Sequence, residues 1–252
     1  MFTAENGNYL KESLKKLGFA PSDEHIALFN LFYDELIKWN EHTNLTRITE
    51  EKEFIDKHLL DSLSSIKAVS PEQAEKPLKV IDIGTGAGFP LLPLWFFYPH
   101  WQITLLDSVK KKLDFISHFS KTAIESFPVL SAKNIKIIHA RAEDLAANKE
   151  HREKYDIIFS RAVARLTSLI ELSLPFIKTG GAFVGMKGGD IDAEIQEAEK
   201  VTGKTGGQLS ETIKFDLLET GLSRSLVIIK KISKTPPDFP RKAGMAQKTP
   251  II

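Results

Sequence analysis

The chain has no cysteine, almost no net charge and no apolar run long enough to span a membrane. The absence of cysteine among 252 residues excludes disulfides, thiolate zinc sites and cysteine nucleophiles. The formal net charge is +1, so overall charge predicts no polyanionic partner. The longest apolar stretch, FPLLPLWFFYP (89–99), is short and contains three prolines. The N-terminus MFTAENGNYLKESLKK lacks the apolar core of a signal peptide, so we expect a cytoplasmic protein without membrane association.

Two regions of different pattern divide the chain. Residues 8–69 have helical patterns, such as SDEHIALFNLFYDELIKWN (22–40), in which apolar residues recur every three or four positions. The polar segment SPEQAEKP (70–77) contains two prolines and is typical of a linker. We therefore predict an N-terminal helical extension over residues 1–70 and a larger domain over residues 71–252.

Strand patterns alternate with helical patterns in the larger domain. The predicted strands are 78–83, 102–107, 135–139, 155–160, 182–187, 213–218 and 225–231, and the predicted helices lie near 89–98, 109–127, 142–149, 167–178 and 190–202. This alternation predicts an α/β fold with a mostly parallel seven-stranded sheet. The segment DLLETGLSRS is short enough for a hairpin, so the last strand should be antiparallel. The tail TPPDFPRKAGMAQKTPII has four prolines and should be irregular.

A glycine turn follows the first predicted strand in VIDIGTGAGFP. Dinucleotide-binding folds use G-x-G-x-x-G, but here glycines occupy positions 84, 86 and 88, and Phe89 stands where the third glycine should fall. Asp82 would repel a pyrophosphate, whereas it suits the ammonium group of S-adenosylmethionine (SAM), which carries no phosphate. The pattern formed by Asp82, Gly84, Gly86 and Gly88 resembles the first motif of Rossmann-like methyltransferases. A nicotinamide cofactor, or glycines that only form a tight connection, are the alternatives.

Two later acidic sites fit a nucleoside. Asp107 ends the second predicted strand, where a carboxylate can accept hydrogen bonds from both ribose hydroxyls. The third strand ends near Glu143 and Asp144, in a loop that lies beside the adenine in this fold. The alternatives are a helix N-cap for Asp107 and a solvated first-turn carboxylate for Glu143.

The loop after the fourth predicted strand, SRAVARL, indicates which nucleophile is methylated. Methylation of pyrimidine C5 needs a cysteine, and the chain has none. The loop lacks the Asn/Asp-Pro-Pro-aromatic motif of exocyclic-amine enzymes, and Arg161 stands near the position where ribose-hydroxyl enzymes have an aspartate. A purine N7 needs no general base, because it has a free lone pair and no proton to lose. These absences therefore favour a purine N7 as the methylated atom.

The candidate site is basic. Arg161 and Arg165 lie in the loop SRAVARL, and Lys187 follows the fifth predicted strand in GMKGG. Arginine and lysine can donate to guanine O6, so Lys187 and Arg161 are the candidate catalytic residues. The alternatives are a buried ion pair between Arg161 and a carboxylate at the sheet edge, a solvated Lys187 and a surface position for Arg165.

From about Trp39 to about Pro250 the chain resembles the glucose-inhibited division protein B family, the bacterial small-subunit rRNA guanine-N7 methyltransferases. The resemblance rests on motifs in the family's order: WNEHTNLTRI, KHLLDSL, DIGTGAGFP, LLDSVKKK, FSRAVARL, GMKGG and FPRKAG. It departs from the family at Leu91-Leu92, where Gly-Ile is common, and this departure affects packing of the first helix more than chemistry.

The resemblance implies a Rossmann-like SAM-dependent methyltransferase fold for residues 71–252. It also implies a SAM site that uses Gly84, Phe89, the pair Ala142–Glu143 and Arg161, with Arg161 beside the cofactor. The implied reaction is methylation of one guanine at N7 in the decoding-region loop of 16S rRNA, either in free rRNA or in the 30S subunit. No metal is implied.

The end of the chain is basic. Seven basic residues and one acid, Asp238, lie between Arg224 and Lys248, so we predict RNA contacts at Arg224, Arg241 and Lys242. A second cluster, Lys110–Lys112, fits solvated helix positions better.

For three polar residues of the N-terminal extension, a structural role is the favoured interpretation. His58 and Asp61 could pack near the cofactor mouth, but a hydrogen bond between helices is favoured, and Asn44 could simply stop its helix. We expect a monomer. The alternatives for function are methylation of another RNA position or of a small molecule, which the basic tail disfavours, and an RNA-binding protein with a vestigial SAM fold.

Overall fold

A computed structural model describes residues 1–161 and 164–252; Ala162 and Val163, within the predicted loop SRAVARL, lie outside the described residues. The described residues form a seven-stranded sheet with the order β3-β2-β1-β4-β5-β7-β6. Its strands are β1 (Lys79–Ile83), β2 (Gln102–Asp107), β3 (Ile135–His139), β4 (Tyr155–Ser160), β5 (Ile177–Gly188), β6 (Gly207–Asp216) and β7 (Ser223–Lys231). Strands β1 to β5 are parallel, and β7 is antiparallel to both of its neighbours.

The strand order reverses direction between β1 and β4. The chain runs from β1 outward through β2 to β3 and then returns to β4 on the other side of β1. In doubly wound sheets, ligands bind at the carboxyl ends of the strands beside such a reversal. The predicted Rossmann-like fold, with its mostly parallel sheet and antiparallel last strand, is confirmed.

Helices cover both faces of the sheet. They are α1 (Ala4–Lys16), α2 (Asp23–Thr43), α3 (Glu51–Phe54), α4 (Asp61–Ser64), α5 (Pro71–Ala74), α6 (Leu91–Phe97), α7 (Lys110–Ser126), α8 (Ala142–Ala146), α9 (Leu166–Ser173), α10 (Asp192–Lys204) and α11 (Met245–Lys248). A π-helical stretch (Ile55–Leu60) joins α3 to α4, and 3-10 turns occupy Ser65–Ala68, Ala132–Asn134 and Leu174–Phe176. None of the helices in the described ranges is long and apolar enough to cross a membrane.

The N-terminal helices pack directly on one face of the sheet. Helix α2 begins with a capping box at Ser22, and Asn44 follows its end with a φ of 50°, the left-handed conformation of a residue that stops a helix. Phe32 of α2 lies in an aromatic cluster with Phe89, Phe96, Phe115 and Phe119. One hydrophobic core therefore includes the extension, α6, α7 and the sheet.

Two strands begin earlier than predicted. Strand β5 starts at Ile177, inside the predicted helix 167–178, because α9 already ends at Ser173. The pair Gly180-Gly181 interrupts the strand pattern in the sequence, so the start of β5 was not predicted. Gly180 has a φ of 88°, and the pairing of β5 with β4 shifts register between Tyr155 and Ile157. Strand β6 starts at Gly207 instead of near 213, and its first half is an exposed, polar edge with no apolar pattern.

The predicted hairpin between the last two strands is confirmed, since β6 pairs with β7 from Asp216↔Ser223 onward. However, β7 lies between β5 and β6, so the last strand of the chain is interior to the sheet and β6 forms its edge. The burial pattern agrees, because β7 is largely buried and β6 is largely exposed.

Candidate active site

The glycine turn lies at the carboxyl end of β1, beside the reversal of strand order. Gly84, Gly86 and Gly88 have φ values of 74°, 61° and 97°, which side-chain-bearing residues rarely adopt. A Cβ on Gly88 would overlap the side chain of Leu92, so the first turn of α6 packs against this glycine. A Cβ on Gly86 would meet no atom within 4 Å. The turn is therefore closed toward α6 and open at Gly86.

Asp82 is a buried acid that lacks a hydrogen-bond partner. It is 0% exposed, and neither carboxylate oxygen makes a hydrogen bond with any residue in the described ranges. Two hydroxyls are also buried without a hydrogen-bond partner among the described residues: that of Thr85, on the glycine turn, and that of Ser160, at the end of β4. Burial raises the pKa of Asp82 to about 8, although the Thr85 hydroxyl and the charge of Arg161 act in the opposite direction. These polar atoms suit a polar ligand, and the donor groups of a SAM ammonium would satisfy them.

Asp107 joins the glycine turn to α7. Its Oδ2 accepts a hydrogen bond from the Gly86 N–H at 3.0 Å, and its Oδ1 accepts one from the Val109 N–H at 2.8 Å. The N-cap of α7 is Val109, and no side chain caps that helix, so the alternative interpretation of Asp107 as a helix N-cap is wrong. The carboxylate instead fixes the orientation of the glycine turn relative to the backbone before α7. Each carboxylate oxygen keeps a second lone pair that can accept a hydrogen bond from a ribose hydroxyl. This contact stays a prediction.

Ala142 and Glu143 open helix α8, at the carboxyl end of β3. Ala142 is buried, and Glu143 is half-buried. The Oε1 of Glu143 accepts a hydrogen bond from the N–H of Gly244 in the C-terminal tail at 2.8 Å. The tail therefore lies against the residues that were predicted to border the adenine, and their contact with a cofactor stays a prediction.

Arg161 connects the end of β4 to the N-terminal extension. Its Nη1 donates to the carbonyl of Lys57 at 2.8 Å and lies 3.4 Å from Oδ2 of Asp61. Its guanidinium carbon is 4.9 Å from the centre of the Phe89 ring. The His58 ring stacks on the same Phe89 ring, with centroids 4.5 Å apart. The predicted cofactor residues Phe89 and Arg161 are thus brought together. The acid that forms an ion pair with Arg161 is Asp61 of α4, and not a carboxylate at the sheet edge as the alternative interpretation had it.

His58 is neutral and has a fixed tautomer. Burial and the charge of Arg161 lower the pKa of His58 to about 3. Its Nδ1 is 3.2 Å from Nη2 of Arg161, which can only donate, so Nδ1 accepts. The proton is therefore on Nε2, which donates to Oγ1 of Thr46 at 2.7 Å. His58 thus has a structural role, but its partners lie in a loop and after β4, so the favoured interpretation of a hydrogen bond between helices is wrong.

Asp61 holds two arginines from distant parts of the chain. It is 6% exposed, and its Oδ1 accepts a hydrogen bond from Nε of Arg224 at 2.6 Å while Oδ2 faces Arg161. Arg224 is the second residue of β7 and was predicted to contact RNA. The structure instead pairs its Nε with a buried acid, and contact with RNA through the rest of the side chain stays a prediction.

A basic cleft of about 450 Å³ lies at the carboxyl ends of β4 and β5. We call it the basic cleft; it is lined by Asp61, Arg161, Ala164, Arg165, Met186, Lys187, Gly188, Glu194 and Arg224. The Lys187 side chain is 12% exposed, and its Nζ donates to the Ala164 carbonyl at 2.6 Å and lies 2.9 Å from Oε2 of Glu194. Lys187 is therefore not the solvated lysine that the sequence left open. Glu194 was not singled out from the sequence, because it resembles any acid in the first turn of a helix.

The C-terminal tail is irregular, apart from α11, and is fastened to the domain by two arginines. Arg241 binds the carboxylate of Glu171, which is 1% exposed, through Nε at 2.9 Å and Nη2 at 2.6 Å. Arg152 donates to three backbone carbonyls of the tail, between residues 235 and 239. Arg241 is thus an anchor of the tail, whereas Lys242 is exposed. Their contacts with RNA stay predictions.

Lys110 and Lys111 are exposed at the start of α7, and the only partner of Lys110 in the described ranges is Asp114, at 3.9 Å. These two positions agree with the favoured interpretation of solvated lysines, whereas Lys112 is half-buried. Within the described ranges, no group of three or more His, Cys, Asp or Glu side chains could hold a metal ion.

A doubly wound sheet with this glycine turn, an unsatisfied acid before it and a cleft beyond β4 and β5 defines a Rossmann-like methyltransferase. Solved structures agree on the fold: a putative transferase from Pyrococcus horikoshii is similar with a TM-score of 0.51 and 14% identity, covering 69% of this chain and 64% of its own. TYW2 of P. horikoshii, in complex with MeSAdo, is similar with a TM-score of 0.50 and 12% identity, covering 69% of this chain and 62% of its own. The chain belongs to the GidB family, described as rRNA small subunit methyltransferase G, whose model matches residues 25–222.

Similar proteins cover almost the whole chain. The ribosomal RNA small subunit methyltransferase G of Lachnoclostridium phytofermentans is 41% identical over 248 residues, covering 98% of both chains. The protein of the same name from Desulforamulus reducens is 44% identical over 243 residues, covering 96% of this chain and 97% of its own. The resemblance recognised from the motifs is therefore confirmed, and it extends through the N-terminal extension.

Proposed function

We propose that this protein transfers a methyl group from SAM to N7 of one guanosine in the decoding-region loop of 16S rRNA. The observation that carries the proposal is the basic cleft, which four cations line; three of them, Arg161, Lys187 and Arg224, pair with its two acids. Such a site offers hydrogen-bond donors to a nucleobase, and each of its two carboxylates is held by a cation. Family membership and the names of the relatives support rRNA as the substrate.

The glycine turn is the proposed SAM site. SAM supplies an electrophilic methyl group on a positively charged sulfur. Asp82 would accept hydrogen bonds from the ammonium group, since both of its oxygens are buried without a bonding partner among the described residues. The open side of Gly86 leaves room for the methionine chain. Asp107 would accept hydrogen bonds from the ribose, which completes the part of the site formed by β1 and β2.

The remaining cofactor contacts come from elements on either side of this turn. Phe89 and Arg161 are in contact with each other and would border the cofactor where the turn meets β4. Ala142 and Glu143 would border the adenine, with the tail at Gly244 behind them. In this arrangement the N-terminal extension fixes Arg161 through Asp61 and His58.

The chemistry needs alignment more than acid–base catalysis. N7 of guanine has a lone pair and loses no proton, so the chain's task is to position the base and exclude water. Lys187 would donate a hydrogen bond to O6, the atom next to N7, and so hold N7 toward the methyl group. Arg161 would contribute as a cofactor contact. The rate should then show no basic limb that belongs to a catalytic carboxylate or histidine.

RNA would reach the basic cleft along the basic C-terminal segment. Lys242 is exposed and follows the anchored Arg241, so its ammonium group can contact a phosphate without breaking an internal ion pair. Arg224 would contact RNA at the rim of the basic cleft through the part of its guanidinium that does not face Asp61.

Site-specific strand cleavage tests the proposal. N7-methylguanosine carries a fixed positive charge that weakens its ring and glycosidic bond, so borohydride followed by aniline should cut 16S rRNA at one guanosine after incubation of 30S subunits with the protein and SAM. Lys187→Ala should slow methyl transfer more than it weakens SAM binding, and Lys111→Ala, an exposed lysine on α7, serves as the matched control. Label from SAM in ribose-methylated or amine-methylated nucleosides, without a cleavage site, would contradict N7 as the target.

A further inference from the structure

Glu194 lies on the wall of the basic cleft with one carboxylate oxygen engaged. Its Oε2 lies 2.9 Å from Nζ of Lys187 and accepts a hydrogen bond from the Leu166 N–H at 3.1 Å. Its Oε1 makes no hydrogen bond with any residue that the structure describes, and the side chain is 37% exposed. Two contacts therefore fix the orientation of this carboxylate and leave its second oxygen available to a ligand in the basic cleft.

The ammonium group of Lys187 can likewise donate a further hydrogen bond to a ligand in the basic cleft. This ammonium group has three N–H donors; one is directed to the Ala164 carbonyl, and the group forms an ion pair with Glu194, so donor capacity remains for a ligand. The pair therefore offers one donor and one acceptor side by side. Guanine presents the complement on its Watson–Crick edge, because the acceptor O6 is next to the donor N1–H, which is next to the donor N2–H. Adenine presents the reverse order, a donor at N6 beside an acceptor at N1.

We propose that Glu194 reads the Watson–Crick edge of the target guanine, accepting hydrogen bonds from N1–H and N2–H while Lys187 donates to O6. This inference rests on the proposed N7 methylation and adds the residue that selects the base. Enzymes that act on an extruded base commonly read it by hydrogen bonds to this edge. With both groups engaged there, N7 on the other side of O6 stays free for the reaction.

Asp61 is the other acid of the basic cleft, and it is unsuited to this task. Its two oxygens face Arg224 and Arg161, and its side chain is 9% exposed. Glu194 is four times as exposed and is bound by only one cation among the described residues. The carboxylate that can meet the base is therefore Glu194, while Asp61 positions the two arginines.

The same hydrogen bonds would favour the transition state. The N7 lone pair forms a bond to the methyl carbon as the carbon–sulfur bond breaks, and the positive charge passes from sulfur to the purine ring. No proton leaves N7. As the ring becomes positive, N1–H and N2–H become stronger donors, so their bonds to a carboxylate strengthen in the transition state relative to the bound substrate. Glu194 is thus expected to contribute to kcat as well as to base selection.

The test compares Glu194→Gln with the wild-type protein on 30S subunits, or on an rRNA fragment that the wild type methylates. Glutamine keeps the shape of the side chain and an acceptor oxygen but removes the charge. We expect kcat/KM for methyl transfer to fall roughly 10- to 100-fold, the effect of losing a hydrogen bond to a charged group. The dissociation constant for SAM should be unchanged, because Glu194 belongs to the base site. Glu197→Gln, an exposed acid on the same helix, is the matched control and should keep full activity.

A substrate change tests the wild-type protein itself, independently of how well the variant folds. Inosine at the target position lacks N2–H but keeps O6, N1–H and N7. The wild type should methylate the guanosine substrate at least several-fold faster than the inosine substrate, and Glu194→Gln should lose most of this preference.

Three results would overturn the inference. They are wild-type activity in Glu194→Gln, a wild type that treats inosine and guanosine alike, and a loss of SAM binding as large as the loss of activity. Methylation of guanosine N7 by the wild type in the same assays would leave the proposed function intact. A wild type that forms no N7-methylguanosine would overturn the proposed function itself and the inference with it.

Discussion

Replacing Asp82 by asparagine is expected to stabilise the cofactor-free protein near neutral pH. Burial raises the pKa of Asp82 from an ordinary value of 3.8 to about 8. Between these two values the folded protein holds a proton at Asp82 that the unfolded chain has lost. The free energy of unfolding therefore decreases as the pH rises through this window, and it stops decreasing above about pH 8.

The size of this effect follows from the shift. Each pH unit inside the window lowers the free energy of unfolding by about 1.4 kcal/mol, so the interval from pH 5 to pH 7 lowers it by about 3 kcal/mol. Asparagine has nearly the same shape and no proton to lose, so Asp82→Asn lacks this contribution. The variant should therefore gain about 3 kcal/mol relative to the wild type between pH 5 and pH 7.

Urea unfolding of both proteins at pH 5, 6 and 7, without SAM, measures this difference. Calorimetry with SAM supplies the functional counterpart. If the ammonium binds ionised Asp82, binding below pH 7 must release a proton, and wild-type affinity should fall about tenfold from pH 7 to pH 6. The variant should bind SAM weakly, without that dependence. Stability curves that run parallel for the two proteins across this range would refute the reasoning about Asp82.

Three further changes test other parts of the site. Gly86→Val should abolish stabilisation by SAM in a thermal shift assay, because the side chain would occupy the open side of the glycine turn, and a retained shift would contradict the cofactor site. Arg241→Ala should lower the free energy of unfolding by about 3 kcal/mol, since it leaves the buried Glu171 without its cation, whereas Lys242→Ala should leave stability unchanged and reduce the slope of log RNA affinity against log salt by about one unit. Asp61→Ala should lower both stability and methyl transfer, measured by urea unfolding and label incorporation, because two arginines lose their shared acid; unchanged activity would show that these arginines need no such support.

Local patterns sufficed for the sheet and for the glycine turn. Strands β1, β2 and β4 are buried along most of their length and are marked by largely apolar runs. The glycines at 84, 86 and 88 mark a turn whose backbone is left-handed. The early start of β5 escaped prediction because glycines at its bulge resemble a loop. The early start of β6 escaped because an exposed edge strand needs no apolar residues.

Pairings between distant charged residues could not be predicted. Asp61 lies 100 residues from Arg161 and 163 residues from Arg224 in the chain, and no local pattern connects them. Arg241 lies among basic residues, which suggests a solvated RNA surface, yet Glu171 binds it through two hydrogen bonds. Charge composition gives the sign of a segment, but only the fold decides which of its side chains are already paired.

The most direct test of the proposed reaction is mass spectrometry of nucleosides from 16S rRNA. Unmethylated 30S subunits are incubated with SAM, with and without the protein, and the rRNA is then digested to nucleosides. One additional methyl group on a guanosine, located on the base and co-eluting with 7-methylguanosine, is the predicted result. A methyl group on ribose or on an exocyclic amine, or the absence of any new methylated nucleoside, would contradict it.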